Sequence, residues 1–143
     1  QAGILVTGKA GGTIEANSIT DSGFAGIEIR DGAAPTVKDN RITGAKEAGI
    51  YVYDSGAGRI GGNTIENSGQ SGIVVGPGGA PEIEGNGIAA NGEHGVLLLD
   101  GAAGRLAGNT ITDNDGHGIV RAENALSGNR DPQMQTGDVR IER

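Results

Sequence analysis

What most constrains this chain is a repeat. Gly3, Gly26, Gly49, Gly72, Gly95 and Gly118 stand 23 residues apart. The next position reads Ile4, Ile27, Ile50, Ile73, Val96 and Ile119. Two further on come Val6, Ile29, Val52, Val75 and Leu98, until Arg121 breaks the column. Later in each copy stand Ile14, Val37, Ile60, Ile83 and Leu106, then Asn17, Asn40, Asn63, Asn86 and Asn109, then Ile19, Ile42, Ile65, Ile88 and Ile111. Leu126 and Asn129 continue two of these columns only after a deletion of three residues, so the sixth copy is shorter. A fixed period in this range is the mark of stacked repeat architectures.

One period reads as three short strands. Gly-Ile-x-Val alternates apolar and variable positions, which sends Ile and Val to one side of an extended segment. The apolar residue before each ladder Asn and the Ile after it mark two more strands, with Gly, Pro, Asp and Asn at the corners. Three such strands can form one coil whose successive copies stack at roughly 4.8 Å, each strand pairing in parallel with its copy above and below. The expectation is an all-β, single-stranded parallel β-helix of about five to six coils, three short strands per coil, over residues 1–129. Residues 130–143 turn polar, which suits a C-terminal cap or linker. Each ladder Asn is expected at a bend, where it tolerates left-handed backbone and its amide bonds along the column.

Composition alone points elsewhere. With 29 glycines in 143 residues, a formal net charge of −7 and 2% aromatic residues, the chain borders on the disordered class. The repeat answers this, because most of its large apolar residues fall into the inward columns of one thin core. Without cysteine, disulfides and thiolate metal sites are excluded, and reducing and oxidising compartments suit the chain equally. The acidic balance and the lack of basic clusters argue against nucleic acid or an anionic membrane surface, and no apolar run reaches the roughly 18 residues of a membrane span. Gln1 lies two residues before the first repeat Gly, so nothing upstream covers the Ile4, Val6, Ile14 and Ile19 layer. A segment excised from a longer protein, or an end that stacks on another molecule, is therefore expected.

The pattern G-I-x-V…I-x-G-N-x-I resembles the right-handed parallel β-helix repeat of the pectate-lyase-like superfamily, which also occurs in carbohydrate-binding and sugar-hydrolase domains of the CASH type. The resemblance covers residue 2 to about 129 and rests on the residues that build the coil. It implies a right-handed coil and, in the enzymes, an active site on the face of the first strand that often uses acidic residues, with calcium in the lyases. Three stretches bear on that implication. Asp31, Asp54, Pro77, Asp100 and Glu123 form a column at the end of the first strand, with Asp31 and Asp54 in adjacent coils as a weak calcium candidate. Asp31-Gly32 and Asp100-Gly101 also read as ordinary turn dipeptides, and calcium needs six to eight oxygens. His94 and His117 precede the repeat Gly in adjacent copies. Gly116-His117-Gly118 matches one polygalacturonase motif, but the accompanying Asn-Thr-Asp, Asp-Asp and Arg-Ile-Lys are missing, and surface-corner histidines are the plainer reading.

The apolar residues that the coil does not need carry more information. Leu5, Val74, Leu97, Leu99 and Val120 occupy outward positions of the first strand, Tyr51 and Tyr53 share those positions in the third copy, and Glu28 and Arg30 in the second. Such a face is expected to contact protein, a second copy or the tail, for which Val139-Arg140-Ile141 is strand-like; a tyrosine platform for sugar is the other reading. The function expected is a non-catalytic scaffold or binding module with a protein partner or self-association, acting through Leu5, Glu28, Arg30, Tyr51, Tyr53, Val74, Leu97 and Leu99, without a cofactor. The alternative is a carbohydrate-active domain (lyase, hydrolase or epimerase-like) on a polysaccharide, using Asp31, Asp54, Asp100 or His117. Five uniform periods leave no long loops to wall a catalytic cleft, which favours the first.

Overall fold

The computed structural model describes residues 1–125 and 139–142. Leu126, Asn129 and most of the expected cap or linker lie outside the described residues. The first turn comprises β1 (Ile4–Val6), β2 (Thr13–Glu15) and β3 (Ser18–Thr20). The trio recurs in every turn through β13 (Val96–Leu98), β14 (Arg105–Ala107) and β15 (Thr110–Thr112), followed by β16 (Ile119–Ala122) and β17 (Val139–Glu142). These strands build three parallel sheets of seven, five and five strands, stacked in turn order. No helix occurs among the described residues.

Up to β16, every strand pairs with its own copy one period away, so like lies on like: Ile27 on Ile50, Ile60 on Ile83, Ile42 on Ile65. In the middle turns the inward side chains are sealed, with Ile27, Ile50, Ile65, Ile73 and Ile88 at 0% exposure. Ile4, Ile14 and Ile19 of the first turn are half-buried, since they have a neighbouring turn on one side only. The corners are paired between turns as well: the amides of Gly26, Ala34 and Gly49 donate to the carbonyls of Ala48, Ala10 and Ser71. Few backbone groups are left for solvent to satisfy, which is how so thin a core holds a long stack.

The Asn ladder is present, and its local geometry differs from the sequence expectation. The left-handed residue is the one before each Asn: Ala16 (φ 57°), Asp39 (57°), Gly62 (66°), Gly85 (72°) and Gly108 (64°). That bend aims the Asn side chain inward. Asn40, Asn63, Asn86 and Asn109 are at most 9% exposed. Each Nδ2 reaches the Oδ1 of the next Asn, at 3.1, 3.0, 3.0 and 2.9 Å from Asn17 to Asn86. From Asn40 onward Nδ2 also donates to a backbone carbonyl of the previous turn.

The repeat glycines are likewise demanded by space, not by backbone conformation. None of them has a positive φ. A Cβ at Gly72 would stand 2.5 Å from Ile88 Cγ2 and 2.9 Å from the Gly95 carbonyl oxygen. This corner is where the third strand of one turn and the chain of the next press on the same backbone, and only a hydrogen fits.

The last turns close differently. Val139–Glu142 does not lie across the outer face as a cover; it adds edge-on to β16 as the seventh strand of the first sheet. Val139 continues the inward column on Ile119, and Ile141 sits opposite Arg121. Arg121, at the inward register, turns its guanidinium onto the carbonyls of Glu123 (3.1 Å) and Ala125 (3.0 Å). A charged side chain is thereby accommodated where the apolar column ends.

Candidate functional site

The outer face of the first sheet is built by alternation: Ile and Val go inward, so the residues between them and just after them point out. In spatial order the turns present Leu5 and Thr7, Glu28 and Arg30, Tyr51 and Tyr53, Val74 and Gly76, Leu97 and Leu99. The two tyrosines of the third turn both face outward and stack on each other, with ring centroids 4.3 Å apart and planes inclined by 22°. Gly76 makes room for them: a Cβ there would meet Tyr53 Cβ at 3.0 Å and Tyr51 Cε1 at 3.2 Å. The stripe is consequently less open than alternation alone implies. Val74 is 8% exposed and Val120 1%, Tyr51, Tyr53, Leu97 and Leu99 are half-buried, and Leu5 stays open at 47%.

Between this strand and the corner before it runs an open groove of about 300 Å³. Its floor is Tyr51, Val74, Leu97 and Leu99; its rim carries Glu28, Glu47, Gln70 and Glu93. Glu47, Gln70 and Glu93 share one corner column at the period of the repeat, a polar row that apolar periodicity does not reveal. Glu28 is engaged: it accepts the Tyr53 hydroxyl at 2.7 Å and pairs with Arg30 at 3.2 Å. Burial, followed by the Glu28 hydrogen bond and charge, pushes the Tyr53 phenol up to about 12. Tyr51 is raised as well, by burial first and then by the charges of Glu28 and Glu47. The groove is thus apolar below and negative at its edge.

Arg30 connects this face to the acidic column, because it also pairs with Asp31 at 3.2 Å. Asp31 (φ 55°) with Gly32 (75°) and Asp54 (φ 48°) with Ser55 (62°) each form consecutive left-handed residues of a tight turn. Adjacent coils bring their carboxyls close enough to couple, and the Thr7 hydroxyl donates to Asp31. The two acids move apart in consequence. The Thr7 hydrogen bond, then the one with Asp54, lowers Asp31; the hydrogen bond with Asp31, then desolvation and its charge, raises Asp54. Asp100 is not part of this pair. Pro77 occupies the intervening turn, and Asp100 lines a separate hollow with Glu123 and Glu142. Two carboxyls, one of them already engaged by Thr7 and Arg30, fall well short of a calcium shell. Among the described residues no group of three or more His, Asp or Glu converges as metal ligands.

The histidines stand at the opposite margin of the sheet. Their rings stack with centroids 5.9 Å apart, and the backbone N–H of His117 donates to His94 Nδ1 at 2.9 Å. One turn earlier Ser71 Oγ accepts the N–H of His94 at 3.2 Å. These side chains therefore tie turn to turn. Beside them lies a second polar ladder that the sequence reading missed. Ser68 N–H donates to Asn91 Oδ1, and Asn91 N–H and Nδ2 donate to Asn114 Oδ1, at 3.0, 3.0 and 2.8 Å. Its signal was the one-period spacing of Asn91 and Asn114, diluted by Ala45 in an earlier copy.

The family model of the right-handed β-helix region matches residues 1–130. The chain belongs to the right-handed β-helix family. That membership sets the hand of the coil. No curated protein and no solved structure is similar enough to be matched with it.

Proposed function

We propose that this right-handed β-helix is a non-catalytic binding module that holds a partner protein on the outer face of its first sheet. The observation that carries the reading is the groove over Tyr51, Val74, Leu97 and Leu99: large apolar side chains that the coil does not require, gathered on one face and fenced by polar residues. Apolar floors with polar rims are the usual anatomy of protein-binding surfaces, and aromatic residues are enriched in them. The remaining outer surfaces differ in kind. The second sheet shows the ion pairs Lys38–Glu15 and Arg59–Glu82, and the third shows Arg41–Glu66 with several threonines, as solvated faces do.

Selection of a random peptide library on the immobilised chain tests the reading, with the Tyr51→Ala/Leu97→Ser variant as comparator. Peptides enriched by the wild type and lost on the variant are the expected result. Equal recovery on both would remove the face from consideration.

The Asp31–Asp54 pair favours a second reading, a carbohydrate-active site. Two carboxyls with opposed shifts are the groups that general acid–base cleavage of a glycosidic bond employs. Turnover of neutral or uronic-acid polysaccharides that disappears in Asp31→Asn and in Asp54→Asn would support it. No turnover over a range of pH, with and without calcium, would end it.

A further inference from the structure

We propose that the segment held in the groove is basic: an extended stretch of about four residues that sets an apolar side chain on Val74 and Leu97 and a lysine or arginine between Glu47 and Glu93. This rests on the reading of the face as a protein-binding surface and adds the chemistry of the partner.

Negative charge is left over at the rim. Among the groove's carboxylates Glu28 is occupied by Tyr53 and Arg30, whereas Glu47 and Glu93 are exposed and make no ion pair or side-chain hydrogen bond among the described residues. No lysine or arginine lines the groove, and the nearby Arg30 is spent on Glu28 and Asp31. Glu47 acts on the groove itself, since its charge helps to raise the Tyr51 phenol. A cation seated here gains the two free carboxylates and the face of the Tyr51 ring, over which ammonium and guanidinium groups are attracted. An anionic segment or a uronic-acid polymer meets repulsion. A neutral sugar finds acceptors on the rim but leaves hydroxyls over an aliphatic floor without partners. A second copy docked by the same groove would set acid against acid.

The dimensions agree. The groove spans the turns from Glu28 to Leu97, three inter-turn steps or about 14 Å, which an extended chain covers in roughly four residues. Glu47 and Glu93 lie two turns apart, about 10 Å, so one cation seated over Gln70 stands about 5 Å from the column position of each.

The test extends the library selection to the exposed-charge variant Glu47→Gln/Glu93→Gln, with Glu82→Gln/Glu84→Gln on the second sheet as a control of equal charge. Affinities are then followed by the emission of Tyr51 and Tyr53, the only tyrosines in a chain without tryptophan. The wild type and the control should enrich peptides rich in Lys or Arg. Affinity for them should fall about tenfold in Glu47→Gln/Glu93→Gln, roughly threefold per rim charge, and should weaken with added salt. If the enriched peptides lack basic residues and bind Glu47→Gln/Glu93→Gln as well as the wild type, the basic partner is overturned while the binding face stands. If nothing is enriched over Tyr51→Ala/Leu97→Ser, both are overturned. Tyrosine emission that answers to neutral oligosaccharides and not to basic peptides would overturn the proposal in favour of sugar.

Discussion

Replacing Asn86 by alanine should cost far more than the same change at Asn17, although both are the same residue in the same column. Asn86 is 1% exposed and takes part in four side-chain hydrogen bonds. Its Oδ1 accepts the backbone N–H and the Nδ2 of Asn63, both at 3.0 Å, and its Nδ2 donates to Asn109 Oδ1 at 2.9 Å and the Ile60 carbonyl at 3.0 Å. Truncation leaves two donors of Asn63 without an acceptor beneath the surface, at about 1–3 kcal/mol each. The acceptors suffer less, because Asn109 Oδ1 keeps the backbone N–H of Asn86. The expected loss is about 3–5 kcal/mol, a large share of the roughly 5–15 kcal/mol that holds a domain together. The exposed Asn17 side chain makes one bond, to Asn40 Oδ1 at 3.1 Å, and its removal should cost about 1 kcal/mol or less. Urea unfolding gives the two losses, and hydrogen exchange at the Asn63 amide reports the same deficit locally. Asn86→Asp should be worse than Asn86→Ala, because it turns an oxygen toward two acceptors. Equal losses at Asn86 and Asn17, or an unchanged Asn63 amide in Asn86→Ala, would refute the ladder as a source of stability.

Three further outcomes follow from the same geometry. Asp54→Asn keeps a partner for Asp31 and removes the raised acid, whose contribution is present below the unfolded value of 3.8 and lost as pH rises through its folded value. The variant should therefore gain in thermal midpoint at pH 7 relative to pH 4, and an equal shift at both would contradict the coupling. Tyrosinate absorbance should rise late, with both phenols above the ordinary 10.0 and Tyr53 near 12. Tyr53→Phe should abolish the later step, and a single transition at 10 in the wild type would refute the Glu28 contact. Gly72→Ala should cost about 1–3 kcal/mol by overpacking, whereas Gly87→Ala, where a Cβ meets nothing within 4 Å, should be neutral or slightly stabilising in the same denaturation assay.

The stack was legible because its constraints are periodic. A core column must be apolar in every turn, and a buried amide must repeat to find its partner, so Ile42, Ile65 and Asn63 announce themselves by position. Residues that act through space without repeating are hidden. Alternation sends Tyr51 and Tyr53 outward, but nothing in it says that the missing side chain at Gly76 lets the rings lie down beside Val74. Adjacent coils put Asp31 beside Asp54, while the opposed shifts of the pair depend on the Thr7 hydroxyl and on left-handed turns that Asp, Ser and Lys adopt here as well as Gly. The repeat glycines announce themselves by position as well, but the collision that explains them involves the next turn and cannot be read from spacing. The Glu47, Gln70 and Glu93 row was in plain sight, but a polar column is ordinarily only a solvated edge and gains meaning beside an apolar floor.

The glycine corner has a consequence for how such a chain can change length. Since each glycine is fitted to the turn above it and every register repeats with the same period, the rod tolerates cuts only in whole turns. Excising residues 50–72 joins Gly49 to Ile73 and keeps all four apolar columns and the Asn ladder in phase. The same cut brings Glu47 and Glu93 from two turns apart to one and removes the tyrosine pair between them. A cut one residue shorter would turn every following side chain to the wrong side of its sheet. The molecule is thus a ruler graduated in steps of about 4.8 Å. The spacing of its surface charges can be reset by deletion or duplication without redesigning its interior.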